Sequence, residues 1–381
     1  MINENEQNVV LISEADAPLD GSDTRNEDVC IMEPFDTTKI RVETKNTQMD
    51  AFIKRIKNDE VDLAPSFQRK GGIWDDRVQS RLIESMLIRI PLPAFYMDAT
   101  DDDKWIVVDG LQRLTTIQRF VVKEELALTG LEFLTDYNDK KFHELPRSFQ
   151  RRIEETDIVL YLIQAGTPSR VKFDIFRRIN TGGEPLSAQE IRHALNQGQI
   201  TNYLKELAES EAFLKATNQS ISSKRMDDRE CVLRFLAFSI VSPDDYSKDD
   251  FDKFLNDCME TMNTMPPYKL EELKHSFFTA LETAEKIFAN DAFRKRYDKE
   301  SSRYPINKAL FESWCVNLAG LNDNERNTLV ERKEQLIEKN IFLLSNDKEF
   351  EMSISQGTGS VKRVRMRFSK IRRLIQEVLD A

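Results

Sequence analysis

Trp105-Ile-Val-Val-Asp109-Gly110-Leu111-Gln112-Arg113-Leu-Thr-Thr-Ile-Gln-Arg-Phe120 is a short apolar strand that ends in Asp-Gly and passes at once into an amphipathic helix. Such a junction is suited to anions. Gly110 gives the backbone freedom for a tight turn, and Gln112 and Arg113 fall where the unpaired N–H groups of a helix start point outward. A phosphate there would meet backbone donors, the positive end of the helix dipole and a guanidinium. The same spacing also fits a plain strand-helix junction in which Arg113 forms a structural ion pair.

Around this stretch the hydrophobic pattern lays out a small mixed sheet with helices. Residues 47–58 read as a helix with Thr47 and Asp50 at capping-box positions, and residues 61–68 as extended. Gly71-Gly72 then turns the chain into a helix over about residues 75–89, with Val78, Leu82, Ile83, Met86 and Leu87 on one face. Pro91 and Pro93 end it. Strands follow over 94–98 and 104–108, joined by an acidic turn, and the helix after Gly110 runs to about Val122. A helix over 146–155, a strand over 158–164 and a helix over 168–179 complete this part. Beyond it the pattern is helix after helix, with loops near Ser242-Pro243, Met265-Pro266-Pro267 and residues 301–305. The fold class is therefore α+β, in three parts: a tail over 1–40, a mixed-sheet domain over 41–200 and a mainly helical domain over 201–381.

Composition excludes several classes. Cys30, Cys231, Cys258 and Cys315 lack paired spacing, so neither a disulfide framework nor a zinc site is indicated. His143, His193 and His275 have no metal-ligand or nucleophile spacing. No P-loop motif occurs. No apolar run approaches the roughly 20 residues that span a bilayer, and the first residues lack a secretory pattern, so a cytoplasmic protein with no membrane partner is expected. The net charge of −11 is unevenly spread: residues 1–40 carry −8 of it, and their polar, aromatic-poor composition reads as largely disordered. Val361-Lys-Arg-Val-Arg-Met-Arg-Phe-Ser-Lys-Ile-Arg-Arg373 instead holds seven bases and no acid. It reads as a short extended start leading into a helix. Lys362, Arg363, Arg365 and Arg367 are its candidate nucleic-acid contacts, and intramolecular pairing with acidic helices is the competing reading.

Pro65-Ser-Phe-Gln68-Arg69, Trp74, residues 79–93, the Asp-Gly-Leu-Gln-Arg turn and Phe176-Arg-Arg-Ile-Asn180-Thr-Gly-Gly-Glu-Pro-Leu-Ser-Ala-Gln-Glu-Ile191 follow one another in fixed order. This series resembles the N-terminal domain of GmrSD-type restriction endonucleases over about residues 40–200, and Met226-Asp-Asp-Arg-Glu-Cys-Val-Leu-Arg-Phe-Leu looks like its helical continuation. The family usually reads Asp-Gly-Gln-Gln-Arg, where this chain has Leu111 in place of the first Gln. The resemblance implies a ParB/sulfiredoxin-like fold whose Asp109–Arg113 turn holds a nucleotide's phosphates. Arg69 and Gln68 would lie at the same site, and the loop carrying Arg178 and Asn180 would face it. Part of that loop has a structural explanation, because Ser187 and Glu190 stand at capping-box spacing. Trp74 and Phe67 read as packing residues rather than base platforms.

Taken with the resemblance, the leading expectation is a nucleotide-binding, nucleotide-hydrolysing component of a bacterial restriction or anti-phage system. Arg113 and Arg69 would hold phosphates, Gln112 would orient water or a phosphate oxygen, and Asp109 would hold Mg2+ for a nucleoside triphosphate. Full-length relatives often carry a C-terminal HNH nuclease module, and no such module is legible here, so residues 225–381 are expected to be helical scaffold or interaction surface; DNA and a separate nuclease subunit are partners that this reading allows without requiring them. The alternative is a non-catalytic module that contacts DNA through the same pocket and the basic segment. Direct DNA nicking is the weaker option, since one acid and no histidine make a poor hydrolytic set.

Overall fold

The computed structural model describes residues 40–63, 74–179, 186–247, 249–299 and 303–381. Its chain contacts divide after Leu195, and each of the two units has its own core.

The first unit is built on a five-stranded mixed sheet. Strands β1 (Val42–Gln48), β2 (Val61–Asp62), β3 (Phe95–Ala99), β4 (Trp105–Asp109) and β5 (Asp157–Gln164) lie in the order β1-β5-β3-β4-β2. The pairs β1/β5 and β3/β4 are antiparallel, and β3/β5 and β2/β4 parallel. Among the described residues six α-helices accompany it: α1 (Met49–Lys57), α2 (Asp76–Leu87), α3 (Leu111–Ile117), α4 (Arg147–Glu154), α5 (Ser169–Ile179) and α6 (Ala188–Leu195). Strict alternation puts Phe95, Met97, Val107, Leu160 and Leu162 on one buried face with Phe52, Ile83, Leu114 and Ile117. The strands at 94–98, 104–108 and 158–164 and the helices at 75–89, 146–155 and 168–179 thus stand where hydrophobic periodicity places them, within a residue or two.

Three local expectations are corrected. The helix expected over 47–58 starts only at Met49. Thr47 belongs to β1, and the N-cap, Gln48, makes no side-chain bond, so the Thr47/Asp50 capping box does not form. Backbone pairing with β5 decides this, since Met49 N–H donates to Thr156 O at 2.9 Å and closes the ladder there. In α2, Val78 is exposed and Gln79 buried, because polar contacts described below draw Gln79 inward. The helix after Gly110 keeps α geometry only to Ile117 and widens to a π turn over Gln118–Val122, where Lys123 N–H bonds Gln118 O at 2.9 Å.

The second unit is helical among the described residues: α7 (Gln199–Ala208), α8 (Glu211–Ala216), α9 (Asp227–Ile240), α10 (Phe251–Asn263), α11 (Pro267–Phe288), α12 (Lys308–Ala319), α13 (Asp323–Glu331), α14 (Lys333–Asn346), α15 (Lys348–Ser355) and α16 (Val361–Leu379). Phe213, Phe235, Phe277, Phe311 and Trp314 centre its core. The expected extended start of the basic segment is absent, because α16 is helical from Val361.

Burial raises the pKa of Asp228, at the start of α9, from an ordinary 3.8 to about 6, against the lowering effects of the Arg229 N–H and guanidinium. The folded unit therefore takes up a proton that the unfolded chain has already lost, and stability falls as pH rises from about 4 to about 6 and stays lower above it. Asp228→Asn is expected to remove that fall, so thermal melts across the range should show the variant gaining on the wild type near neutrality and not at about pH 4. Parallel melting curves at every pH would count against it.

Candidate functional site

The alternation of β4 should send Asp109 to the core face with Trp105 and Val107. It does not, because the β3/β4 register shifts between Tyr96 and Met97: Met97 pairs with Val107, but Tyr96 pairs with Asp109, which leaves Val108 as an extra residue. That bulge re-aims Asp109 onto the face of Tyr96. The parallel partner of Tyr96 is Tyr161, and the two rings stack with centroids 4.8 Å apart. Burial, then Tyr161 and the Asp109 carboxylate, push the Tyr96 hydroxyl's pKa above its ordinary value. The Asp109 side chain remains 29% exposed.

Gly110 follows at φ +99°, and a Cβ there would stand 2.4 Å from a Phe95 ring carbon. The position needs glycine both for the left-handed backbone and for the space. Leu111, in place of the family's usual Gln, packs against the sheet core. Gln112 Oε1 accepts the Trp74 N–H at 3.2 Å, and Gln79 Nε2 donates to Trp74 O at 2.5 Å. Arg119 joins Gln79 Oε1 at 2.8 Å and Asp76 at 2.9 Å. These bonds fix Trp74, the first described residue after the segment with Gln68 and Arg69, beside the Asp-Gly turn. Gln112 is thus engaged through its carbonyl as a positioning group. Trp74 is half-buried, as its reading as a packing residue requires.

Arg113 is 9% exposed. Its guanidinium donates to Asp109 Oδ2 at 2.8 Å, to Ala94 O at 3.2 Å and to Pro93 O, and it covers the Phe95 ring at 4.4 Å. Burial draws its pKa down, and Asp109 opposes that. The expectation of a solvent-facing phosphate clamp is corrected here: Arg113 holds the end of β4 to the segment entering β3, since its N–H fork is turned to carbonyls that would otherwise lack donors. Of the remaining candidates, Arg178 is exposed in the last turn of α5, while Gln68, Arg69, Phe67 and Asn180 lie outside the described residues. The Ser187/Glu190 capping box forms, with Glu190 N–H on Ser187 Oγ at 3.1 Å and Ser187 N–H on Glu190 Oε2 at 2.6 Å. Tyr96, Tyr161 and Gln79 were not singled out by sequence. Period-two placement of the tyrosines was the available signal for that pair, but the bulge that puts Asp109 beside Tyr96 leaves no mark in composition.

A magnesium ion fits this donor set only as a shared ligand. Among the described residues no group of three acidic, histidine or cysteine side chains could hold a metal, so Asp109 would bind it together with phosphate oxygens and water.

The basic segment of the helical unit is engaged internally. Arg367 is wholly buried, bonded to Glu312, Ser353 O and Thr358 O, so it is removed as a nucleic-acid contact. Arg363 donates to Gln356 O, Arg365 to Tyr246 O at 3.1 Å, Lys370 to Asp347 at 2.5 Å, Arg372 to Asp244 at 3.1 Å and Arg373 to Glu377 at 3.0 Å. Lys362 is exposed. The intramolecular reading of this segment has the contacts.

Among the described residues no helix is long and apolar enough to cross a membrane. No curated protein and no solved structure matches the chain. A family model does match, over residues 49–197, and that segment is similar to the family described as GmrSD restriction endonuclease, N-terminal domain.

Proposed function

We propose that the sheet unit binds a nucleoside triphosphate with Mg2+ at the Asp109–Gly110 turn and hydrolyses it, as part of a restriction system. Support comes from the match of residues 49–197 to the model described as GmrSD restriction endonuclease, N-terminal domain. The observation that carries the reading is the bulge in β4, which turns an acid out of the core face and places it at a strand end, before a glycine in the left-handed region and the first turn of a helix. A carboxylate held so would share Mg2+ with the phosphates. Asp109 is the metal-holding group in this scheme. Gly110 lets the backbone come close to the phosphates, Gln112 and Arg113 position the turn, and Arg69, Gln68, Arg178 and Asn180 are the candidate phosphate contacts. DNA and a separate nuclease subunit are the partners this role implies.

The test is phosphate release from each common nucleoside triphosphate with Mg2+, with and without DNA. Asp109→Asn keeps the size and removes the charge, so turnover should fall by at least about tenfold while binding, read by thermal shift, weakens less. Absence of phosphate release by the wild type under all these conditions would leave a binding module, and absence of any thermal shift would remove the nucleotide reading as well.

A further inference from the structure

The outer edge of β1 is seven residues long, exposed at all positions but Thr47, and free of proline and of any register break against β5. Among the described residues no strand pairs with it. Which of its backbone groups face outward follows from the ladder. Gln164 N–H donates to Arg41 O at 2.8 Å and Met49 N–H to Thr156 O at 2.9 Å, at the two ends of one continuous register. Residues 41, 43, 45, 47 and 49 therefore direct their backbone groups to β5. Val42, Thr44, Asn46 and Gln48 present theirs to the open edge. A long unprotected edge is a template for another strand, and proteins commonly guard such edges with an inserted charge, a bulge or a proline. Lys45 is the basic guard here.

That guard is neutralised by one particular partner. We propose that β1 is the seam of a homodimer, in which two copies of this chain pair their β1 strands antiparallel about Thr44. In this register Thr44 of each copy exchanges both backbone bonds with Thr44 of the other, and Val42 does so with Asn46; all three are residues whose groups face outward. Glu43 of each copy then falls opposite Lys45 of the other as a non-hydrogen-bonded pair, where side chains approach most closely and opposite charges attract. Centring the two-fold on Lys45 would oppose two lysines, centring it on Glu43 would oppose two glutamates, and centring it on Asn46 would set Lys45 opposite Thr47 and Glu43 opposite Met49, with no charge matched. The two five-stranded sheets become one of ten strands, with the closed two-fold symmetry usual for dimers.

Sedimentation velocity of the full chain over a dilution series tests this, with circular dichroism to verify folding. The wild type should show a monomer-dimer equilibrium. Lys45→Glu sets Glu43 against a glutamate, and Glu43→Lys sets a lysine against Lys45; each should weaken the dimer by about ten- to thirtyfold. Mixing the two variants should restore it, because every cross-strand pair in the mixed dimer is again opposite in sign. Thr44→Pro removes an N–H that faces the open edge and not β5, so it should abolish the dimer and leave the unit folded. A wild type that stays monomeric throughout would overturn the proposal. So would a dimer indifferent to these changes, or one that mixing fails to restore.

Discussion

Glu312→Gln should cost the helical unit about 3–5 kcal/mol of stability, which for a domain of this size lowers the melting temperature by roughly 6–20 °C. Glu312 is wholly buried and accepts from two guanidiniums, Arg367 through Nε at 2.9 Å and Nη2, and Arg234 through Nη1 at 3.4 Å. The chain of charges continues from Arg234 to Glu230 at 2.7 Å, from Glu230 to Lys308 at 2.9 Å and from Lys308 to Asp227 at 2.7 Å. Three acids among these contacts thus face three bases across α9, α12 and α16, and these six charges sum to zero. An amide at Glu312 removes the carboxylate that Arg367 faces and leaves Arg234 with Glu230, in a medium where water cannot replace the lost charge. Replacing Glu312 and Arg367 together by Met should be milder than Glu312→Gln, because a buried pair exchanged for apolar volume is often near neutral, although Ser353 O and Thr358 O would lose a donor. Chemical denaturation measures both. A Glu312→Gln variant within about 1 kcal/mol of the wild type would show that the network is solvated and of little structural consequence.

Arg113→Ala should destabilise the sheet unit by about 2–4 kcal/mol. A clamp facing solvent would leave the fold intact, as the sequence reading expects. The folded chain places that guanidinium on Asp109, Pro93 O, Ala94 O and the Phe95 ring instead, so truncation strands a carboxylate and two carbonyls at once and opens space over the ring. Arg113→Lys should recover only part of the loss, since a single ammonium restores the pairing with Asp109 but not the fork. Amide exchange in β3 and β4 would localise the effect. If Arg113→Ala instead melts like the wild type yet loses nucleotide-dependent stabilisation, the clamp reading returns.

Sequence alone determined the elements whose side chains alternate or recur at helical period, because burial of one face is written into residue order. Residue order therefore carried β3, β4 and β5, the helices about them, the Asp-Gly turn and the helical second half, and its ordered motifs carried a resemblance that the family match over residues 49–197 repeats. It was silent where backbone pairing or burial of charge decides. Strand β1, Val-Glu-Thr-Lys-Asn-Thr-Gln, has no apolar alternation, since what makes it a strand is the hydrogen-bonding edge of β5. The bulge that turns Asp109 is a matter of register between two strands, and register is a property of the pair. Arg113 and Arg367 read as cations available to phosphate. Only tertiary structure brought the Pro93 and Ala94 carbonyls to Arg113 and the Glu312 carboxylate to Arg367 from residues distant in sequence, and once an ionic group is desolvated its partners, rather than its type, fix what it can do.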